Sequence, residues 1–303
     1  MRGRPSLAAR FVTAIVALAA LAGCATRGAP VPTFPESLLL TDYTTWFAAD
    51  VAGNRELVHA ILTQLDSELA GVADRTTRIV GGARVLPGSP AEFSAVATGD
   101  FPRRGVELAL RRDESFERLT TQIAGRRAVY FNQTDAELQL ALPAHDLLYA
   151  STGRVIEMLQ PRPPAELAME PQVYRALRRV GTETGPDALV VFHDPGRGAL
   201  EAIGVDPGAL PLESISLTVT SVPETGGLEL GGALGLRSER DAALFGRVGR
   251  LFVIVFVRAL GLEAENLRES VRVESRGAQV VFSGIPLGRD ELVAAIRRVA
   301  GEP

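Results

Sequence analysis

Thr76-Thr77-Arg78-Ile79-Val80-Gly81-Gly82-Ala83-Arg84-Val85-Leu86, then Pro87-Gly88-Ser89-Pro90, then Ala91-Glu92-Phe93-Ser94-Ala95-Val96-Ala97-Thr98: two strand-forming runs flank a proline and glycine turn. Proline presets the backbone for a turn, and glycine takes conformations closed to other residues, so the segment reads as a β-hairpin. The same signature recurs. Ala128 to Asn132 precedes Glu137 to Leu142, Leu212 to Val222 and Leu228 to Leu236 flank Pro223-Glu224-Thr225-Gly226-Gly227, and Val271 to Ser275 precedes Gln279 to Ile285. A chain dominated by hairpins predicts an α+β fold of largely antiparallel sheet with helices packed on one face.

Helical periodicity fills the intervals. Thr44 to Asp50 reads as a strand, and Asn54 then caps a helix whose stripe is Leu57, Val58, Ile61, Leu62, Leu65 and Leu69, closed by Gly71. Arg104 to Leu119 and Asp146 to Leu159 read as two further helices. Gln160-Pro161-Arg162-Pro163-Pro164 then breaks the pattern, because proline removes backbone donors and disfavours helix in the residue before it. Beyond a connecting helix at Pro171 to Val180 the order restarts with a strand at Ala188 to His193, a turn at Asp194-Pro195-Gly196 and a short helix at Gly198 to Ile203. Ser238 to Leu262 and Asp290 to Val299 are the later helices. One order of elements written twice predicts two similar units, 38–160 and 172–303, joined by a linker at 161–171. An offset of 143 residues (196 − 53) aligns Gly53 with Gly196, Leu57 with Leu200 and Pro143 with Pro286.

Leu251-Phe252-Val253-Ile254-Val255-Phe256-Val257 is the most apolar stretch of the folded part. At about 100° per residue Arg240, Arg247, Arg250 and Arg258 share one arc and leave the rest of the wheel apolar, as in a helix buried on most sides. Ser238 with Asp241 reads as a capping box and Gly261 as a stop, and the arginines argue against a membrane span.

Ahead of the folded part, Arg2, Arg4 and Arg10 form a positive leader and Phe11 to Ala22 is apolar apart from Thr13, which is signal-peptide architecture. The apolar run is too short to span a bilayer, which takes about 20 residues. It ends at Leu21-Ala22-Gly23-Cys24, and Cys24 is the one cysteine in 303 residues. That order resembles the lipobox of bacterial lipoproteins. The resemblance covers the first 24 residues and implies cleavage between Gly23 and Cys24, a diacylglycerol on Cys24 and acylation of the new amino terminus. It predicts anchorage to a membrane of the bacterial cell envelope. Ala25 stands after the cysteine where aspartate would favour inner-membrane retention, so the expected address is the outer membrane facing the periplasm. Residues 24–37, with Ala29-Pro30-Val31-Pro32-Thr33-Phe34-Pro35, read as the lipidated tether.

Composition excludes several chemistries. All 32 basic residues are arginine, so there is no lysine for a Schiff base or a phosphate-binding loop. A net charge of −4 gives no electrostatic footprint for nucleic acid. No Gly-x-Ser-x-Gly, His-Glu-x-x-His or Gly-x-Gly-x-x-Gly motif occurs. His59 reads as solvated and His145 as a loop residue. His193-Asp194, at the end of a strand, is the most enzyme-like pair. No catalytic residue, cofactor or metal site is assigned. The expected function is a non-enzymatic binding or structural module with an envelope protein as partner. The alternatives are a periplasmic carrier of a lipid or other apolar ligand, and an envelope hydrolase without a short signature.

Overall fold

The computed structural model describes residues 35–59, 74–84, 92–134, 137–193, 212–222, 227–259 and 270–292. The leader, the lipobox, the tether up to residue 34, most of the helix expected after Asn54, the turn at 87–90, the short helix at 198–203 and most of the closing helix lie outside them. The last tether residues, from Pro35, belong to a 3-10 turn in which Pro35 and Glu36 are buried.

Twelve strands are found among the described residues. In the first half they are β1 (Thr45–Asp50), β2 (Thr76–Arg84), β3 (Glu92–Gly99), β4 (Phe116–Ile123), β5 (Arg126–Gln133), β6 (Leu138–Ala144) and β7 (Leu147–Thr152). In the second they are β8 (Ala188–His193), β9 (Leu212–Val222), β10 (Gly227–Leu236), β11 (Arg272–Arg276) and β12 (Gln279–Leu287). All join one antiparallel sheet in the order β11-β12-β10-β9-β8-β1-β2-β3-β7-β6-β5-β4. The halves therefore share a sheet instead of carrying one each, because β1 pairs with β8 from Thr45 opposite Phe192 to Ala49 opposite Ala188. Outward from that seam, β1-β2-β3-β7-β6 and β8-β9-β10-β12-β11 take the same course. Pro143 on β6 and Pro286 on β12 fall on different ranks of it, so the offset of 143 does not match these prolines structurally.

Four helices are described: α1 (Arg103–Arg112), α2 (Val155–Leu159), α3 (Pro171–Arg179) and α4 (Glu239–Ala259). They lie on both faces of the sheet, which corrects the one-face expectation. Alternate side chains of β1 show why: Phe47 joins the cluster of Phe101, Val106 and Leu110 under α1, whereas Trp46 and Ala48 join that of Val155, Met158, Val173 and Leu177 under α2 and α3. The α4 cluster (Ala242, Val253, Ile254 on Ile215, Leu234 and Phe282) lies on the α1 face, since Phe192 and Ile215, which pack in it, stand opposite each other in the β8–β9 ladder.

Two helices were overextended by periodicity. The helix expected at 104–119 ends at Arg112, and Phe116–Ile123 is strand β4. The helix expected at 146–159 is strand β7 followed by the single turn of α2. Helix α4 follows the expectation at its start, where the Ser238 hydroxyl accepts from the Asp241 backbone N–H at 3.1 Å and donates to the Asp241 carboxylate at 2.7 Å. Its burial is partial: Val253 and Ile254 are buried, but Leu244 and Leu251 are 56% and 66% exposed.

Candidate functional site

The segment Pro35 to Tyr43 is the first described stretch of chain. It opens with a 3-10 turn at Pro35–Leu38 and lies on the α2–α3 face, where Leu39, Leu40 and Tyr43 are buried with Trp46, Val80 and Val96. Polar atoms trapped by that packing need partners, and arginines from distant parts of the chain supply them. Glu36, 1% exposed, forms an ion pair with Arg78 of β2. The same guanidinium donates to the carbonyls of Leu177, at 2.6 Å, and Val180, where α3 ends. It thereby neutralises the negative end of a helix. Arg162 donates to the Leu38 carbonyl and, at 2.9 Å, to that of Glu157. Asp42 accepts from Arg84 at 3.0 Å and from Arg154 at 2.9 Å. Arg154 also forks onto Glu157 at 2.8 to 2.9 Å and stacks 5.3 Å over the Tyr43 ring, which meets Trp46 edge-on at 5.8 Å. Residues 35–43 are thus a strap held at four points.

Burial sets the electrostatics of the strap. It pushes the Tyr43 and Tyr149 phenols above their ordinary pKa and pulls the Arg162 guanidinium down. Burial pulls on Arg154 too, but the hydrogen bonds it donates to the Asp42 and Glu157 carboxylates more than offset it and hold Arg154 above its usual value.

A second feature lies at the junction of the halves. A cleft of about 300 Å³ is lined by Asn54, Arg55, Ser221, Leu228 and Arg289 among others. The Ser221 hydroxyl donates to the Asn54 side-chain carbonyl at 2.8 Å, and the Asn54 amide donates to the Asp50 carbonyl at 3.2 Å. The Ser221 hydroxyl is therefore oriented by an amide, while the Ser221 backbone N–H donates to the Asp187 carboxylate.

The histidines stand apart. His59 is exposed on the first turn of the helix after Asn54. His145 lies in the β6–β7 turn, 3.7 Å from the Asp146 carboxylate, with its carbonyl bound by the Phe101 N–H. His193 ends β8, its N–H on the Thr44 carbonyl, at the opposite end of the strands from His145. Among the described residues no three His, Cys, Asp or Glu side chains are grouped to hold a metal ion, and no helix is long and apolar enough to cross a membrane. Gly23 and Cys24 lie outside the described residues. The strap arginines were not legible in sequence, since Arg78, Arg154 and Arg162 share no spacing.

No family model matches the sequence, and no curated protein does. The fold is nonetheless known. Crystal form III of the treponemal protein TP0453 superposes with a TM-score of 0.60 at 15% identity, covering 88% of this chain and 99% of that one. Form I gives 0.58 at 15% identity, covering 88% and 98%, and form IV 0.58 at 17%, covering 87% and 96%. At these identities the likeness is one of fold. It supports a large antiparallel sheet with a few helices, mixed α+β.

Proposed function

We propose that this chain is a lipid-anchored lipoprotein of the bacterial cell envelope, held to the membrane by acyl chains on Cys24, with the sheet acting as a non-enzymatic binding or structural module for an envelope protein partner. The strap is the observation that carries this reading. The chain that follows Cys24 is fixed from Pro35 to Tyr43 by Arg78 of β2 and by Arg84, Arg154 and Arg162, so a pull on the anchor is shared by several elements. Ala25 after the cysteine supports an outer-membrane address facing the periplasm. The repeated course of strands away from the β1–β8 seam is what an internal duplication would leave.

Mass spectrometry of the membrane-extracted protein tests the anchor. The expected mature chain begins at an acylated Cys24, and Cys24→Ser releases the domain or blocks processing. An uncut, unmodified Cys24 in a lipoprotein-processing host would refute the proposal. Exposed Leu244 and Leu251, two turns apart on α4, favour the carrier of an apolar ligand as the second reading. Lipid that copurifies stoichiometrically in native mass spectrometry would select it.

A further inference from the structure

The two edges of the sheet are built differently. At one end β11, Arg272-Val273-Glu274-Ser275-Arg276, is five residues long and charged at every second position. Charge of that kind on an edge discourages another strand from adding to it. At the other end β4 is eight residues long and uncharged from Leu119 to Ile123. Among the described strands β4 pairs with β5 alone, through eight residue pairs, while β5 holds β6 through two, Phe131 with Leu140 and Asn132 with Gln139. The outer part of the β4–β5 hairpin is therefore a two-stranded arm, and two strands without a third are marginally stable in water.

We propose that β4 pairs antiparallel with β4 of a second copy about a twofold axis at Thr121, so that two sheets become one. A twofold axis perpendicular to the sheet preserves its faces, so facing residues must be an even number of positions apart. Placed at Thr121, the axis sets Thr121 opposite itself and Leu119 opposite Ile123 on one face, with Thr120 opposite Gln122 on the other. Apolar side chains meet apolar ones and hydroxyl meets hydroxyl, which are favourable cross-strand pairs. Glu117 falls level with the other copy's turn at Ala124-Gly125, and Arg126, which follows that turn, lies on the same face as Glu117. The charges that approach there are opposite. Registers moved towards Phe116 bring Glu117 and Arg118 onto the uncharged run and lose this match.

The sequence makes the test clean, because Cys24 is the one cysteine. In the full chain carrying Cys24→Ser, Thr121→Cys places two thiols directly opposite, with Cβ atoms about 4.5–5.5 Å apart, close to the reach of a disulfide. Thr120→Cys places them on the diagonal at about 7–8 Å. Mild oxidation is expected to give a covalent dimer on a non-reducing gel for Thr121→Cys and monomer for Thr120→Cys. In parallel, native mass spectrometry of the detergent-solubilised full chain is expected to show a dimer, and Thr121→Lys, which sets two ammonium groups face to face, to return it to monomer with its circular dichroism unchanged. Should Thr121→Lys fail to fold, the cysteine pair decides alone. A monomeric mass for the unsubstituted chain, or equal crosslinking at both positions, overturns the proposal.

Discussion

On the face that carries the strap, the second and third strands of the first half present Arg78, Val80 and Gly82 from β2 and Ser94, Val96 and Thr98 from β3. The same ranks of the second half present Ser214, Ser216, Thr218 and Thr220 from β9 and Glu229, Gly231, Ala233 and Gly235 from β10. Val80 and Val96 are 0% exposed beneath Leu39, Leu40 and Tyr43, whereas the serines and threonines of β9 are half-buried or exposed. Among the described residues no apolar cluster forms on that part of the face. One sheet surface is thus covered at one end by the chain's own N-terminal segment and left polar at the other. A strand covered on both faces has to be apolar at both parities, while a strand covered once alternates.

The sharpest way to break this comparison is to unfasten the cover. Glu36→Ala strands Arg78 beside a helix end with carbonyl partners only, and removing one member of a buried ion pair costs about 3–5 kcal/mol. The two remaining carbonyl acceptors place the expected loss at the lower end, about 3 kcal/mol. The midpoint of urea unfolding measures it, and an unchanged midpoint would mean that the strap is not fastened there.

Packing density gives a second contrast. A Cβ at Gly81 would lie 2.1 Å from the Phe47 ring and 2.6 Å from the Ser94 backbone oxygen, and neither can yield without moving a strand. At Gly235 the nearest atom is the Ser214 hydroxyl at 2.2 Å, which can rotate away, with the next contacts at 3.5 Å. Gly81→Ala is expected to cost about 2–3 kcal/mol and Gly235→Ala less than about 1 kcal/mol. Equal losses in parallel denaturation curves would show that β2 on its α1 face and β10 on the opposite face are packed alike.

The sequence made this contrast partly legible, and the reason is physical. Ser214-Ile215-Ser216-Leu217-Thr218-Val219-Thr220 alternates as a strand with one solvated face must, and Ser238 with Asp241 marks a helix start through local hydrogen bonds alone. Leu147-Leu148-Tyr149-Ala150 is buried on both faces, so it carries no period of two and was read as helix. β4 follows α1 after only three residues, and the break between them rests on local hydrogen bonding, Asp113 accepting from the Ser115 N–H at 2.9 Å. The strap was the least legible part, because a bond from Arg78 to Glu36 spans 42 residues and follows from the sheet order.

Alkaline titration sharpens the comparison without removing any packing. The Tyr43 and Tyr149 phenols are raised above their ordinary value of 10.0 by burial, so the folded state favours their neutral form. A raised folded pKa gives stability that is full below the unfolded pKa and lost as pH rises through the folded one. Stability should therefore fall as pH rises above about 10, and Tyr43→Phe should make the fall shallower. Tyr43 ends the strap and Tyr149 lies in the cluster beneath it; both phenols stay neutral below about pH 10, so the same substitution should leave the slope there as it was. A slope identical in Tyr43→Phe and the parent chain would remove Tyr43 from the account.

The smallest effect is expected on the polar end of the face, and it separates solvated surface from hidden core. Thr218 stands opposite Leu189 on β8 and Gly231 on β10, on the side of the sheet away from the α4 cluster. An arginine at 218 can run its methylenes over the bare backbone of Gly231 and the methyl of Ala233 and keep its guanidinium in water. Thr218→Arg should then change the unfolding free energy by no more than about 0.5 kcal/mol. If this end of the sheet is the surface through which the module meets an envelope partner, the same variant loses a crosslinked partner while its unfolding curve stays in place. A loss of several kcal/mol would instead mean that the chain buries Thr218, and the division of the face into a covered and a polar end would fail.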